Sequence, residues 1–161
     1  MTPIVSDIEI KKVNAGRLLT VLVTGSYEKM GDAFMQLSEW MEQKLIKPSG
    51  PFCAIFYDTV MSQETKKVHY EVCVQIDKDI EGEDIIKYRE DFDQECAVLT
   101  FRGPYDKINI AYDALFNWIK SNSYQVDGAC REVYIVSPKP DAAVDPETFV
   151  TEIQLPVKKA E

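Results

Sequence analysis

Apolar and polar positions alternate along the chain with two different periods, and these periods predict the secondary structure. Residues 17–24 are apolar and β-branched and stop at Gly25, which is typical of a strand followed by a turn. Residues 28–45 carry apolar side chains at spacings of three and four, which predicts a helix that ends before Pro48. Two strands and the hairpin loop between them complete this half of the chain: residues 52–58, 67–76 and 59–66.

The second half of the chain predicts the same order of elements. An amphipathic helix runs from residue 106 to about residue 121, with two strands before it and two after it. The predicted strands are residues 86–92, 95–101, 130–136 and 149–157. Pro138, Pro140 and Pro146 keep the loop before the last strand out of any sheet.

The two halves also match residue by residue at an offset of 78 positions. The matching pairs include both tryptophans and two pairs of glycines: Gly25 with Gly103, Tyr27 with Tyr105, Lys29 with Lys107, Ala33 with Ala111, Leu37 with Leu115, Trp40 with Trp118 and Gly50 with Gly128. Tryptophan is rare and glycine positions reflect backbone geometry, so this pattern indicates an internal duplication. We place the repeats at about residues 5–78 and 84–158 of a single domain, with a cleft between them.

The fold class that follows is α+β, with duplicated strand-helix-strand-strand repeats. Two helices of this length on antiparallel strands cover one face of the sheet, and the other face is then expected to line the cleft.

Charge and composition narrow the function classes. The formal net charge of -9 and a pI near 4.7 disfavour a surface that binds nucleic acid phosphates. The chain has no apolar run of the roughly 18 residues that cross a bilayer, and its first residues lack a signal-peptide pattern. We therefore expect a cytoplasmic domain with no direct nucleic-acid or membrane partner.

The four cysteines are scattered among apolar residues and form no C-x-x-C pair, which favours buried free thiols. With only His69 to add to them, they predict no zinc site, and no cofactor is expected.

The alternation within the strands selects candidate binding residues. In the strand 130–136, Glu132 and Tyr134 share a face, and the offset of 78 matches them with Ala54 and Phe56. Only the second half carries an acid there. Glu71 and Glu152 likewise lie on the polar sides of their strands, opposite the apolar sides.

Glu132 with Tyr134 and Phe56 would form the polar floor of an aromatic pocket. A buried carboxylate is disfavoured unless it is paired, so the predicted ligand is a lipophilic molecule that is cationic or aromatic. The alternative is that Glu132 pairs with an internal Arg or Lys, or reaches solvent. Trp118, like Trp40, is first a packing residue, with pocket lining as the alternative.

One set of motifs carries a family resemblance. The second half of the chain contains Phe101-Arg102-Gly103-Pro104-Tyr105-Asp106-Lys107, followed by Ala111-Tyr112, Trp118-Ile119, Gly128, Arg131-Glu132-Val133-Tyr134, Pro138 and Thr151-Glu152-Ile153. This series of motifs resembles the GyrI-like family. The first half matches the family through Thr24-Gly25-Ser26-Tyr27 and Tyr70-Glu71-Val72. The resemblance implies a small-molecule-binding fold found in multidrug-responsive transcription activators and in stand-alone proteins. With about 16 residues before the first matched strand, we expect a stand-alone member.

The resemblance also implies which residues hold the ligand. A buried glutamate and surrounding aromatic rings do so in those regulators; Glu132 matches that position best, and Tyr134, Tyr112 and Glu152 match less closely. The primary hypothesis is non-catalytic binding of a small lipophilic molecule, for sensing, for sequestration or to regulate a partner protein.

Two other function classes stay open. Some relatives resemble hydrolases of cyclopropane-containing toxins, in which Glu132 or Glu71 would be the general base and Tyr134 or Tyr112 the hydrogen-bond donor. The other class is a protein-interaction module that resembles a gyrase inhibitor.

Overall fold

The computed structural model describes residues 3–14, 16–57, 68–138 and 143–161. In these residues ten strands and two α-helices follow in chain order: β1 (Ile4–Val5), β2 (Glu9–Val13), β3 (Gly16–Gly25), α1 (Met30–Gln43), β4 (Phe52–Phe56), β5 (Val68–Ile76), β6 (Ile86–Asp91), β7 (Gln94–Arg102), α2 (Asn109–Ser121), β8 (Tyr124–Val126), β9 (Cys130–Val136) and β10 (Val150–Lys159). The predicted hairpin loop at 59–66 lies outside the described residues.

The chain divides into two compact units. The central unit is Asn14–Asp93, and the terminal unit combines Met1–Val13 with Gln94–Glu161. Strands β1 and β2 pair with β7, so residues 5–13, which the sequence analysis counted in the first repeat, belong to the terminal unit.

In the central unit, α1 covers one face of an antiparallel sheet in the order β4-β5-β3-β6. Helix spacing puts Ala33, Leu37 and Met41 on one side of α1, and all three are buried. They pack against alternate residues of the strands, which form one core: Leu19, Val21, Val23, Tyr70, Val72 and Val74. The intervening strand residues therefore face the opposite side of the sheet.

The terminal unit is built in the same way. Its main strands have the order β9-β10-β7, with β1 and β2 on β7 and β8 on β10, and every pairing is antiparallel. Helix α2 buries Ala111, Leu115 and Ile119 against a second core. The strand residues of that core are Ala97, Leu99, Phe101, Ile153, Leu155 and Val157. The predicted α+β class is confirmed: in each unit a helix packs on antiparallel strands.

Both units turn from strand into helix through the same backbone geometry. Gly25 is the last residue of β3, and Gly103 directly follows β7. Their φ values are 130° and 149°, which L-residues with a Cβ rarely adopt. A short 3-10 turn follows in each unit, at Tyr27–Lys29 and Tyr105–Lys107. The α-helices therefore begin two to three residues later than the predicted starts at residues 28 and 106, because the first turn is wound more tightly.

Strands β1, β2 and β8 were not predicted from the sequence. These strands have two, five and three residues, and β2 carries three charged residues in five, so their apolar alternation is weak. Among the described residues, no helix has the length and apolarity needed to cross a membrane.

Candidate functional site

Glu132 lies on the helix-covered face of the terminal sheet. The register of β9 on β10 places Glu132 opposite Ile153 and Tyr134 opposite Thr151, and direct partners share a face. Ile153 belongs to the core beneath α2. The expectation that the uncovered face lines the pocket is therefore wrong for Glu132, because its strand register turns its side chain toward α2.

Two tyrosine hydroxyls hold the Glu132 carboxylate. The Tyr112 hydroxyl, from α2, donates a hydrogen bond to Oε2, and the Tyr134 hydroxyl donates to Oε1 at 2.9 Å. The Tyr112 hydroxyl also lies 3.7 Å from Sγ of Cys130 on the same strand face. The structure thus brings together three of the predicted site residues: Glu132, Tyr134 and Tyr112.

The carboxylate of Glu132 is buried without a cationic partner. The residue is 8% exposed, and no lysine or arginine nitrogen of the described residues lies within 4.0 Å of its oxygens. Burial raises the pKa of Glu132, while the hydrogen bonds from Tyr112 and Tyr134 act in the opposite direction. Among the described residues, Glu132 therefore has neither the internal Arg or Lys partner nor the solvent exposure that the alternative interpretation required.

Tyr105 is a neighbour of this carboxylate that was not among the predicted site residues. Its ring contacts Tyr134 edge-to-face at a centroid distance of 5.8 Å and stacks on Phe149 at 5.0 Å. Burial and the charge of Glu132 raise its pKa to about 12. The match of Tyr105 with Tyr27 at the offset of 78 identified Tyr105 as a shared position of the two repeats. No sequence pattern predicted that its ring lies near Glu132.

A buried hydroxyl also belongs to this strand face. Thr151 is fully buried opposite Tyr134, and its Oγ1 has no hydrogen-bond partner among the residues that the structure describes. A buried hydroxyl normally has a partner, so this atom is available to a water or to a polar group of a ligand.

Glu152 is on the other side of the sheet. It pairs with Val133 of β9 and with Thr100 of β7, one register position from Glu132's partner Ile153. Its carboxylate accepts a hydrogen bond from Nε2 of Gln154 at 3.4 Å. Glu132 and Glu152 therefore do not face one site.

Trp118 is placed as a packing residue. Its ring stacks on Tyr124 at 5.6 Å, and both rings pack against the core of the terminal unit. Trp118 lies six residues after Tyr112 on α2, which turns it to a different side of the helix.

Glu71 differs from Glu132 because a cation neutralises it. It lies on the helix-free face of the central sheet, where Nη1 of Arg89 is 2.5 Å from its Oε1 and the Tyr57 hydroxyl donates a hydrogen bond to the same oxygen. Arg89 also pairs with Asp91 through Nε at 3.0 Å. The alternative of an internal ion pair, considered for Glu132, applies to Glu71 instead.

The matching positions of the central unit are apolar. Phe56 packs against Tyr27 at 5.7 Å and Tyr70 at 6.0 Å. By the offset of 78, Glu132, Tyr134 and Tyr112 correspond to Ala54, Phe56 and Phe34. At these three positions the central unit therefore has no polar side chain, and its described residues around Phe56 form an aromatic cluster without an acid.

No metal site competes for these carboxylates in the part of the chain that the structure describes, since no three His, Cys, Asp or Glu side chains there are grouped to hold an ion.

Comparison with known proteins identifies a family and several similar folds. A family model described as the GyrI-like small molecule binding domain matches residues 6–158. None of the curated protein sequences matches the chain.

Solved structures share the fold at low sequence identity. EcmrR in a complex with DNA is 19% identical with a TM-score of 0.84; the alignment covers 96% of this chain and 58% of the EcmrR chain. SAV2435, solved with bound tetraphenylphosphonium, is 13% identical with a TM-score of 0.59, over 94% of each chain. A hydrolase from Listeria innocua is 13% identical with a TM-score of 0.69, over 95% of this chain and 92% of the hydrolase.

Proposed function

This chain belongs to the GyrI-like family of small-molecule binding domains, and on that premise we propose that it binds a lipophilic organic cation whose charge is neutralised by Glu132. One observation carries the proposal: the Glu132 carboxylate is buried, held by two hydroxyls and unpaired with any described basic side chain. The other candidate acids differ, since Glu71 has Arg89 and Glu152 faces the opposite side of the sheet.

An unpaired buried charge costs free energy. Removal of a carboxylate from water disfavours its ionised form, which is why the pKa of Glu132 is raised. A cation that enters beside the carboxylate offsets this cost and restores ionisation. A neutral ligand of the same shape gains nothing from the charge, so the site favours cations over neutral molecules.

The aromatic side chains suit the rest of such a ligand. Tyr105, Tyr112 and Tyr134 surround the carboxylate, and aromatic faces attract organic cations by about 0.5 to 2 kcal/mol each. The Oγ1 of Thr151, which has no partner among the described residues, offers one further polar contact. The structurally similar SAV2435 has been solved with tetraphenylphosphonium, which makes this cation a suitable first probe.

A thermal-shift titration tests the proposal. The purified chain is heated with tetraphenylphosphonium, with triphenylphosphine oxide, which has three of the four phenyl groups and no net charge, as the neutral control, and with planar dyes and haem. A ligand at 100 times its Kd adds about 2.7 kcal/mol, which corresponds to a rise in Tm of roughly 5 to 11 °C for a chain of this size. Selective stabilisation by the cation is expected. Equal shifts with the neutral control would contradict the role of Glu132, and no shift with any compound would favour the protein-interaction hypothesis.

Hydrolysis is the second candidate function, favoured by the same geometry. A carboxyl group with a raised pKa can act as a general base on a water, and the adjacent Tyr112 or Tyr134 hydroxyl can stabilise the negative charge that develops on a substrate. Incubation with cyclopropane-containing alkylators followed by mass spectrometry separates the two functions. Turnover that Glu132→Gln abolishes would identify a hydrolase, whereas unchanged compound recovered in full would support binding alone.

A further inference from the structure

Two buried cysteines face each other across neighbouring strands of the central unit. Cys53 on β4 and Cys73 on β5 are direct register partners, so their side chains lie on the same face of the sheet. Their sulfur atoms are 2.8 Å apart. Neither residue is in a disulfide, and both are almost fully buried, with 4% and 0% exposure.

The strand geometry is compatible with a covalent bond between these sulfurs. The amide of Tyr57 donates to the carbonyl of His69 at 3.1 Å, and hydrogen-bonded pairs alternate along antiparallel strands, so Cys53 and Cys73 are also a hydrogen-bonded pair. The Cα atoms of such a pair are about 5.5 Å apart, within the roughly 4.4–6.8 Å that disulfides span. The sulfur separation exceeds a disulfide bond of about 2.05 Å by about 0.8 Å.

We propose that Cys53 and Cys73 form a reversible dithiol–disulfide modification site whose co-reactant is a small-molecule disulfide such as oxidised glutathione. This inference is independent of the ligand that binds at Glu132. The cysteines of the terminal unit are not direct register partners: Cys96 is opposite Pro156, and Cys130 lies beside the Tyr112 hydroxyl.

The exchange proceeds in two balanced steps. One cysteine thiolate attacks a sulfur of oxidised glutathione, forming a mixed disulfide and releasing one glutathione thiolate. The second cysteine thiolate then attacks the protein sulfur of the mixed disulfide, which forms the Cys53–Cys73 bond and releases the second glutathione. The two thiol protons end on the two released glutathione molecules, so the protein loses two protons and two electrons. Because both sulfurs are buried, the first step requires local opening of the strands.

The bond would also stabilise the fold that creates it. It would close a loop between residues 20 positions apart, which restricts the unfolded chain. By thermodynamic linkage, a disulfide that stabilises the native fold is itself more stable in the native fold than in the unfolded chain.

An equilibrium experiment avoids the slow access to buried thiols. The chain is unfolded and refolded in buffers of varied reduced-to-oxidised glutathione ratio, and the same ratios are applied to the chain kept in 6 M guanidinium. Free thiols are then trapped with iodoacetamide, and the Cys53–Cys73 cross-link is quantified by peptide mass spectrometry. The matched variants are Cys96→Ala/Cys130→Ala, which keeps the pair, and Cys53→Ala/Cys73→Ala, which removes it.

The expected result is a native-state equilibrium for this cross-link at least tenfold more favourable than in guanidinium, with loss of 2 Da and a rise in Tm that dithiothreitol reverses. The wild type and the Cys96→Ala/Cys130→Ala variant should both show it. An equilibrium no more favourable in the native state than in guanidinium, or cross-links that mainly involve Cys96 or Cys130, would overturn the proposal.

Discussion

Replacement of Glu132 by Gln removes one charge while keeping the size and the hydrogen-bonding atoms of the side chain. The Tyr112 and Tyr134 hydroxyls that donate to the carboxylate can both donate to, or accept from, the amide. The variant should therefore fold normally. It should also gain about 1 kcal/mol of stability at neutral pH in the absence of ligand, because it removes a carboxyl group that burial makes costly to ionise.

The loss of cation affinity can be worked from the geometry. Unit charges about 4 Å apart attract by about 4 kcal/mol at an effective dielectric constant of about 20. Part of this energy is consumed in ionising a carboxyl group whose pKa burial has raised. A net loss of about 2 to 3 kcal/mol remains, which corresponds to a Kd about 30- to 150-fold weaker for tetraphenylphosphonium.

Isothermal titration calorimetry measures this loss directly. Glu152→Gln is the matched control, because it removes the same charge from the same unit on the opposite face of the sheet. It should change Kd by less than about threefold, as expected for a screened charge at a distance. A Glu132→Gln effect below threefold, or an equal effect of Glu152→Gln, would refute the assignment of Glu132 as the counter-charge.

Four further predictions follow from the same contacts. Cation affinity should increase as the pH rises through the folded-state pKa of Glu132, and calorimetry in two buffers of different ionisation enthalpy should detect the proton released on binding. Because the folded-state pKa of Glu132 is raised, the unliganded fold should also lose stability as the pH rises from about 4.3 through that pKa. The resulting decline in Tm should be absent from Glu132→Gln. Tyr112→Phe removes a donor to the ionised carboxylate and should weaken cation binding by about 1 to 2 kcal/mol, whereas an unchanged Kd would exclude that hydrogen bond from the site. Glu71→Gln should instead lower the free energy of unfolding by about 1 to 2 kcal/mol in urea melts, because it breaks the partly exposed pair with Arg89. Gly103→Ala should cost about 1 to 3 kcal/mol, since φ is 149° there, and a wild-type urea midpoint would contradict that backbone conformation.

Much of the fold could be predicted from the sequence because its signals are local. Helix periodicity identified the buried faces of α1 and α2, and Gly25 and Gly103 marked two turns that have the same unusual φ. The two units also share their order of main strands and helix, as the offset of 78 predicts. The duplication itself stays an inference from the sequence. The short strands β1, β2 and β8 were missed because they are stabilised by pairing with distant residues, which no local pattern records.

The candidate site could be predicted only in part. Alternation placed Glu132 and Tyr134 on one strand face, and the structure confirms that shared face. The side of the sheet could not be predicted, because it depends on the register between β9 and β10. For the same reason the sequence did not show that Arg89 neutralises Glu71, since the two residues lie on strands that flank β3.

The most direct test of the central claim is a crystal structure of the chain with tetraphenylphosphonium, the cation bound in the structure of SAV2435. The phosphorus atom should lie beside the Glu132 carboxylate, at about the 4 to 6 Å over which opposite charges perturb each other, with phenyl groups against Tyr105, Tyr112 and Tyr134. A cation bound elsewhere, with the Glu132 carboxylate still held only by its two tyrosine hydroxyls, would contradict it.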